Sequence, residues 1–94
     1  MLLTAGLIPY NIFVMNMIDK LLTLCSGYCE SRKIVFPTLS TLIFNSGTTL
    51  SRLQNGGSIT VRNYEHAVEW LSDHWPEDQQ WPDYIERPKE RVEG

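Results

Sequence analysis

Ninety-four residues, 43% hydrophobic and 20% charged, describe one small globular domain and exclude global disorder, a fibrous chain and a large enzyme. Two cysteines four positions apart, Cys25 and Cys29, with two distant histidines, His66 and His74, exclude the common zinc spacings. The formal net charge of −3 conceals a polarity: through residue 62, Lys20, Arg32, Lys33, Arg52 and Arg62 face only Asp19 and Glu30, whereas from residue 63 three cations face nine carboxylates. This split predicts a basic working face on an acidic, solubilising remainder, the plainer account being an ordinary acidic tail.

The chain opens on eighteen residues without a charged side chain, MLLTAGLIPYNIFVMNMI. Gly6, Pro9, Asn11 and Asn16 interrupt the run, it sits at the short limit for a membrane span, and no Lys or Arg precedes it as in a secretory signal. Residues 1–16 are therefore expected to form a poorly ordered extension of a cytoplasmic protein, with Met15 or Met17 as alternative starts and no membrane partner.

A helical domain is expected over residues 17–76. Ile18, Leu21, Leu22, Cys25 and Cys29 fall at i, i+3, i+4, i+7 and i+11, which predicts a helix over 17–30 with both thiols on one face as small core residues in a reducing compartment. Ser31, Arg32 and Lys33 read as a basic connector, and Ile34 to Phe36 should be extended before Pro37. Pro37 then fits the first helical position of a second helix within 36–45, FPTLSTLIFN, with Leu39, Leu42 and Ile43 as its apolar stripe. Thr38, Ser40, Thr41 and Asn45 are left outward, short polar side chains that let a helix lie deep in a major groove.

Ser46 and Gly47 stop that helix, and Thr48 caps a short third segment over 48–55 with Leu50 and Leu53 inward. Thr60 caps a longer fourth helix in which Val61, Tyr64, Val68, Leu71 and Trp75 step around one face, with Arg62 and Asn63 in the first turn placed to meet a phosphate. His74 near its C-terminal end and His66 both read as surface side chains rather than metal ligands. The Trp-Pro pair Trp75–Pro76 recurs at Trp81–Pro82, and the tail over residues 77–94 ends in a charged run; Pro76 and Pro82 argue against helix, while Trp81, Tyr84 and Ile85 are too apolar for water. An irregular strap over the helices is expected, with a docking surface for a partner protein as the alternative. The fold class predicted is thus all-α, a compact bundle of about four helices with a Trp-Pro strap.

From about residue 21 to residue 88 the chain resembles the small helix-turn-helix proteins of prophages and phage-like elements. The resemblance lies in TLSTLIFNSGTTLSRLQNGGS, in the Thr60 start with Ala67 and Trp70, and in an ending formed by His74, Trp75, Pro76, Trp81, Pro82, Arg87 and Pro88. The second helix is similar in style to the recognition helix of LacI-type and Cro-type repressors. The resemblance implies a sequence-specific transcriptional regulator acting on double-stranded DNA, with no enzymatic activity and no cofactor.

In the preferred register helix 36–45 reads the bases through Thr38, Ser40, Thr41 and Asn45, while Arg32, Lys33, Arg52 and Arg62 neutralise phosphates. The alternative register moves the reader to 48–55 and brings Thr49, Ser51, Arg52 and Gln54 to the bases. A single module binds weakly, so a homodimer on paired half-sites is expected, with Phe44, Trp81, Tyr84 and Ile85 as its interface. An interaction module built on the Trp-Pro tail stays open beside it.

Overall fold

Four helices and a C-terminal strap pack around one core in the computed structural model, which describes residues 16–88. The helices are α1 (Met17–Arg32), α2 (Phe36–Phe44), α3 (Thr49–Gln54) and α4 (Val61–Asp73), and the described residues contain no strand. The expected extension lies outside the described residues except for Asn16, as do the last six residues of the charged tail.

Most helix ends have a local cause, although Thr48 stands at the N-cap of α3 without the expected side-chain cap bond. Asn16 accepts a bond from the Asp19 amide at 2.8 Å and so caps α1. The helix runs two residues past its expected end, taking Ser31 and Arg32 out of the proposed connector, and stops where Lys33 turns left-handed at φ 59°. Pro37 stands in the first turn of α2, and Asn45 ends it at φ 60°, a conformation its short amide side chain tolerates. Thr60 Oγ1 accepts from the Asn63 amide at 3.1 Å, as expected of the α4 cap.

The core joins Leu21, Leu24, Cys25 and Tyr28 of α1 to Leu39 and Ile43 of α2, Leu50 and Leu53 of α3, and Ala67, Val68 and Leu71 of α4. Two expected stripes are rotated. In α1 the most buried line runs through Leu21, Leu24, Cys25 and Tyr28, while Ile18 and Leu22 pack at its edge, because Tyr28 turns toward α4 and meets Trp70 edge-on at 5.6 Å. In α2 Leu42 is 52% exposed, because that helix turns Ser40 inward against α3 instead. Val61, expected in the core, is also exposed, since α4 buries residues of its second half and its first turn protrudes.

The Trp-Pro segment folds back as a strap. Trp75 Nε1 donates to the Gln79 carbonyl at 2.6 Å and Trp81 Nε1 to the Ile85 carbonyl at 2.8 Å, so each indole closes a small loop while its ring packs. The two rings meet edge-on at 5.0 Å, and Ile85 is sunk into the core. Arg87 latches the end: Nε and Nη2 reach Ser72 Oγ and the Ser72 carbonyl at 2.9 and 3.0 Å, and the guanidinium lies 4.9 Å from the Trp81 ring. Ile85→Ala is therefore expected to lower unfolding free energy by about 2–4 kcal/mol in urea titration, as for other core truncations. A loss below about 0.5 kcal/mol, the range of a surface change, would show that the strap lies outside the cooperative unit.

Candidate functional site

The α2–α3 corner is built around a hydroxyl. Ser40 is fully buried; its Oγ donates to the Ser46 carbonyl and accepts from the Leu50 amide at 3.2 Å. It therefore ties α2 both to the turn that follows and to the first turn of α3. This corrects its expected place among the groove-facing side chains, because a hydroxyl with both partners inside the protein cannot reach a base edge. Thr38, Thr41 and Asn45 are exposed as expected, with Thr41 Oγ1 turned back to the Pro37 carbonyl at 3.0 Å.

Across the corner, α3 buries Leu50 and Leu53 and leaves Ser51, Arg52 and Gln54 exposed. Its end is closed by two bonds, Gly57 N to the Arg52 carbonyl at 2.9 Å and Gly56 N to the Leu53 carbonyl at 3.2 Å, with Gly56 at φ 97°. Arg52 lies back across this turn, its Nη1 donating to the Ser58 carbonyl at 3.0 Å. From the other side, His66 Nε2 lies 3.1 Å from the Ile43 carbonyl in the last turn of α2, where a protonated Nε2 satisfies an otherwise orphaned acceptor.

These elements enclose an open cleft of about 700 Å³ between α3 and the start of α4, lined by Thr49, Arg52, Thr60, Arg62, Asn63 and His66 among others. No carboxylate is among its lining residues. The four expected phosphate cations do not converge there. Arg52 and Arg62 line the cleft, whereas Arg32 sits near the far end of α4, its Nη2 3.5 Å from the His74 carbonyl and its guanidinium 5.7 Å from the Tyr28 ring. Arg62 and His74 are twelve positions apart along α4 and its C-cap, about 18 Å at 1.5 Å per step. A second cleft at that end places Arg32 among Asp73, Glu77 and Asp78, and Lys33 follows it in sequence. The surroundings of Arg32 are acidic and oppose a phosphate, which corrects its expected role beside the reader.

The expected dimer interface is also divided. Ile85 is a core residue, Trp81 is half-buried under the Arg87 latch and Phe44 packs at the core margin; Tyr84 alone of the four is freely exposed. Ile85 is accordingly withdrawn from any interface. Among the described residues no cluster of His, Cys, Asp or Glu suits a metal ion, and no helix is long and apolar enough to cross a membrane.

Sequence reasoning missed the part His66 and Gly57 play in this cleft. His66 bonds a carbonyl on another helix, and nothing in its own neighbourhood signals that. Gly57 carries a weak signal, as the second residue of a Gly-Gly pair where a turn needs only one left-handed glycine.

Ser40→Ala is expected to cost about 1–3 kcal/mol, because it strands the buried Leu50 amide without a partner. A urea midpoint unchanged from the parent would show that the corner does not depend on the hydroxyl. The two thiols supply a pH test. Burial, reinforced by the Cys29 thiol, pushes Cys25 far above the ordinary thiol range, and burial also raises Cys29. The native thiols thus stay protonated where unfolded ones ionise, so the unfolded state holds fewer protons and stability falls as pH rises beyond about 9. Thermal midpoints should decline above that pH and decline less in Cys25→Ala.

No protein-family model, curated protein or solved structure matches this chain, and the case for its function rests on the geometry of the site itself.

Proposed function

We propose that the chain is a sequence-reading DNA-binding protein in which α2, the turn over residues 45–48 and α3 form the helix-turn-helix, with α3 as the reader. The observation that carries this reading is the burial of Ser40. It removes one of the four expected base contacts of α2, leaving Thr38, Thr41 and Asn45 exposed, and, through the Leu50 amide, fixes α3 against α2 with Ser51 and Gln54 facing solvent. On this reading we favour the later register over the earlier one. A hydroxyl and an amide on α3 are suited to base edges, Gln to adenine in particular.

Charge placement supports the same orientation. The end of the molecule that carries α3 also carries the carboxylate-free cleft, whereas the strap end holds Glu77, Asp78 and Asp73. A duplex approaching the α3 face meets guanidinium groups, and one approaching the strap meets carboxylates. The interaction-module alternative loses support, since Trp81 and Ile85 are spent inside the fold.

Selection from a pool of random duplex DNA, sequenced after binding at two salt concentrations, tests the proposal. An enriched motif is expected at both salts, and Ser51→Ala combined with Gln54→Ala should flatten preference at one or two positions, each worth about 1–3 kcal/mol of discrimination. Retention that disappears at the higher salt with no enriched sequence would overturn the assignment.

A further inference from the structure

We propose that the cleft between α3 and α4 is a built seat for one backbone phosphate, gripped jointly by Arg52 and Arg62, and that Gly57 is the residue that positions Arg52 for it. The inference rests on the DNA-binding reading and assigns this cleft as its sequence-independent anchor. Its ligand is a phosphodiester oxygen pair.

The two arginines differ in a way that fits a grip. Arg52 is held: its Nη1 donates to the Ser58 carbonyl at 3.0 Å, and its stem lies against the backbone of the turn. A guanidinium anchored through one N–H keeps its remaining donors in a fixed plane, so little side-chain freedom is lost when an anion arrives. Arg62 is exposed on the first turn of α4 and has no ion-pair or hydrogen-bond partner among the described residues. One cation is preset and the other can close. Asn63 and His66 supply further polar groups to the same cleft, whose walls carry no carboxylate; Arg62 also borders an adjoining cleft, not lined by Arg52, that holds Glu65, Glu69 and Glu86.

Gly57 explains how Arg52 comes to lie there. A Cβ at this position would stand 2.8 Å from Arg52 Cγ, 2.8 Å from the Arg52 carbonyl oxygen and 2.9 Å from Nη1. Atoms at such separations overlap, so any larger residue must displace both the Arg52 side chain and the backbone of the turn at the Arg52 carbonyl, which disturbs the bond to Ser58. Gly56, by contrast, needs glycine for its backbone angle, and a Cβ there would meet nothing within 4 Å. The Gly-Gly pair thus divides its labour. Gly56 ends the helix, and Gly57 clears the floor on which Arg52 rests.

The test uses the full chain and two probes, inorganic phosphate and a random-sequence duplex. Phosphate is titrated against chloride at matched ionic strength while the Arg Nε–H and backbone amide resonances are followed by NMR. Expected shifts centre on Arg52, Arg62 and Asn63, and phosphate affinity falls about tenfold in Arg62→Gln, in line with a lost charge-assisted bond. Gly57→Ala is expected to lose a similar factor, with Arg62→Gln deciding the matter if the glycine variant unfolds. Lys33→Gln removes the same charge near the α1 end and should change nothing. Equal losses in Arg62→Gln and Lys33→Gln, or shifts that spread over the surface without centring on the cleft, would overturn the seat. Duplex binding insensitive to Arg62→Gln would do so as well, with DNA binding left standing. Phosphate held in the cleft with no duplex affinity would support the seat and defeat the DNA reading instead.

Discussion

The hydroxyl of Ser40 is the interaction on which the rest of the corner depends. A six-residue helix has too few internal bonds to repay its own nucleation, so α3 exists only because tertiary contacts hold it. Leu50 and Leu53 supply the apolar part of that hold. They fix distance better than rotation, since apolar contacts are non-directional. Ser40 fixes rotation, because one oxygen placed between the Ser46 carbonyl and the Leu50 amide admits a single orientation of the turn. Which side chains of α3 meet solvent follows from that orientation.

The distribution of charge has a similar logic in space. Along the sequence the sign changes near residue 62, but in the folded chain α1 and α4 bring their C-terminal ends together, as the contacts of Arg32 with His74 and of Ser31 with Asp78 show. This carries Arg32 into the acidic end and leaves Arg52 and Arg62 as the cations of the opposite one. A net negative protein can in this way present a carboxylate-free cleft, with Asp73, Glu77 and Asp78 about 18 Å away and beyond the Debye length at physiological salt, while Glu65, Glu69 and Glu86 line a neighbouring cleft that Arg62 also borders. The strap contributes by covering apolar surface on α1 and α4. Gly27 makes room for it, since a Cβ there would come within 3.2 Å of the Gln79 side-chain amide nitrogen.

The helices, the Thr60 cap, the inward Leu50 and Leu53 and the folded-back Trp-Pro segment were all legible in the sequence, because each is governed by local chemistry: a cap residue, a period, a proline. The rotations of α1 and α2 were not. Periodicity finds an apolar stripe but cannot say that Tyr28 will displace Ile18 and Leu22 from its centre when an aromatic partner waits on α4. Nor can it see that Ser40 outranks Leu42 for a buried position, since burying a hydroxyl is unfavourable until both of its partners are in place. The candidate site was half legible: Arg52 and Arg62 stood out by charge, whereas Ser40, Arg32 and Ile85 were misplaced because their surroundings come from distant segments.

In the proposed reading, stability and binding are joined in a single turn. The proposed reader face and the proposed phosphate seat share the turn over residues 55–60, with Arg52 belonging to both: its carbonyl closes α3 through Gly57 N, and its guanidinium lines the cleft. Any change that loosens this turn acts twice, fraying a helix too short to persist alone and releasing a cation that had been held in place. A fold of this size has little surplus with which to absorb either loss. The two demands fall on one turn because the chain places the cation inside α3 itself, so that in the proposed reading the geometry of a Gly-Gly pair becomes a determinant of recognition.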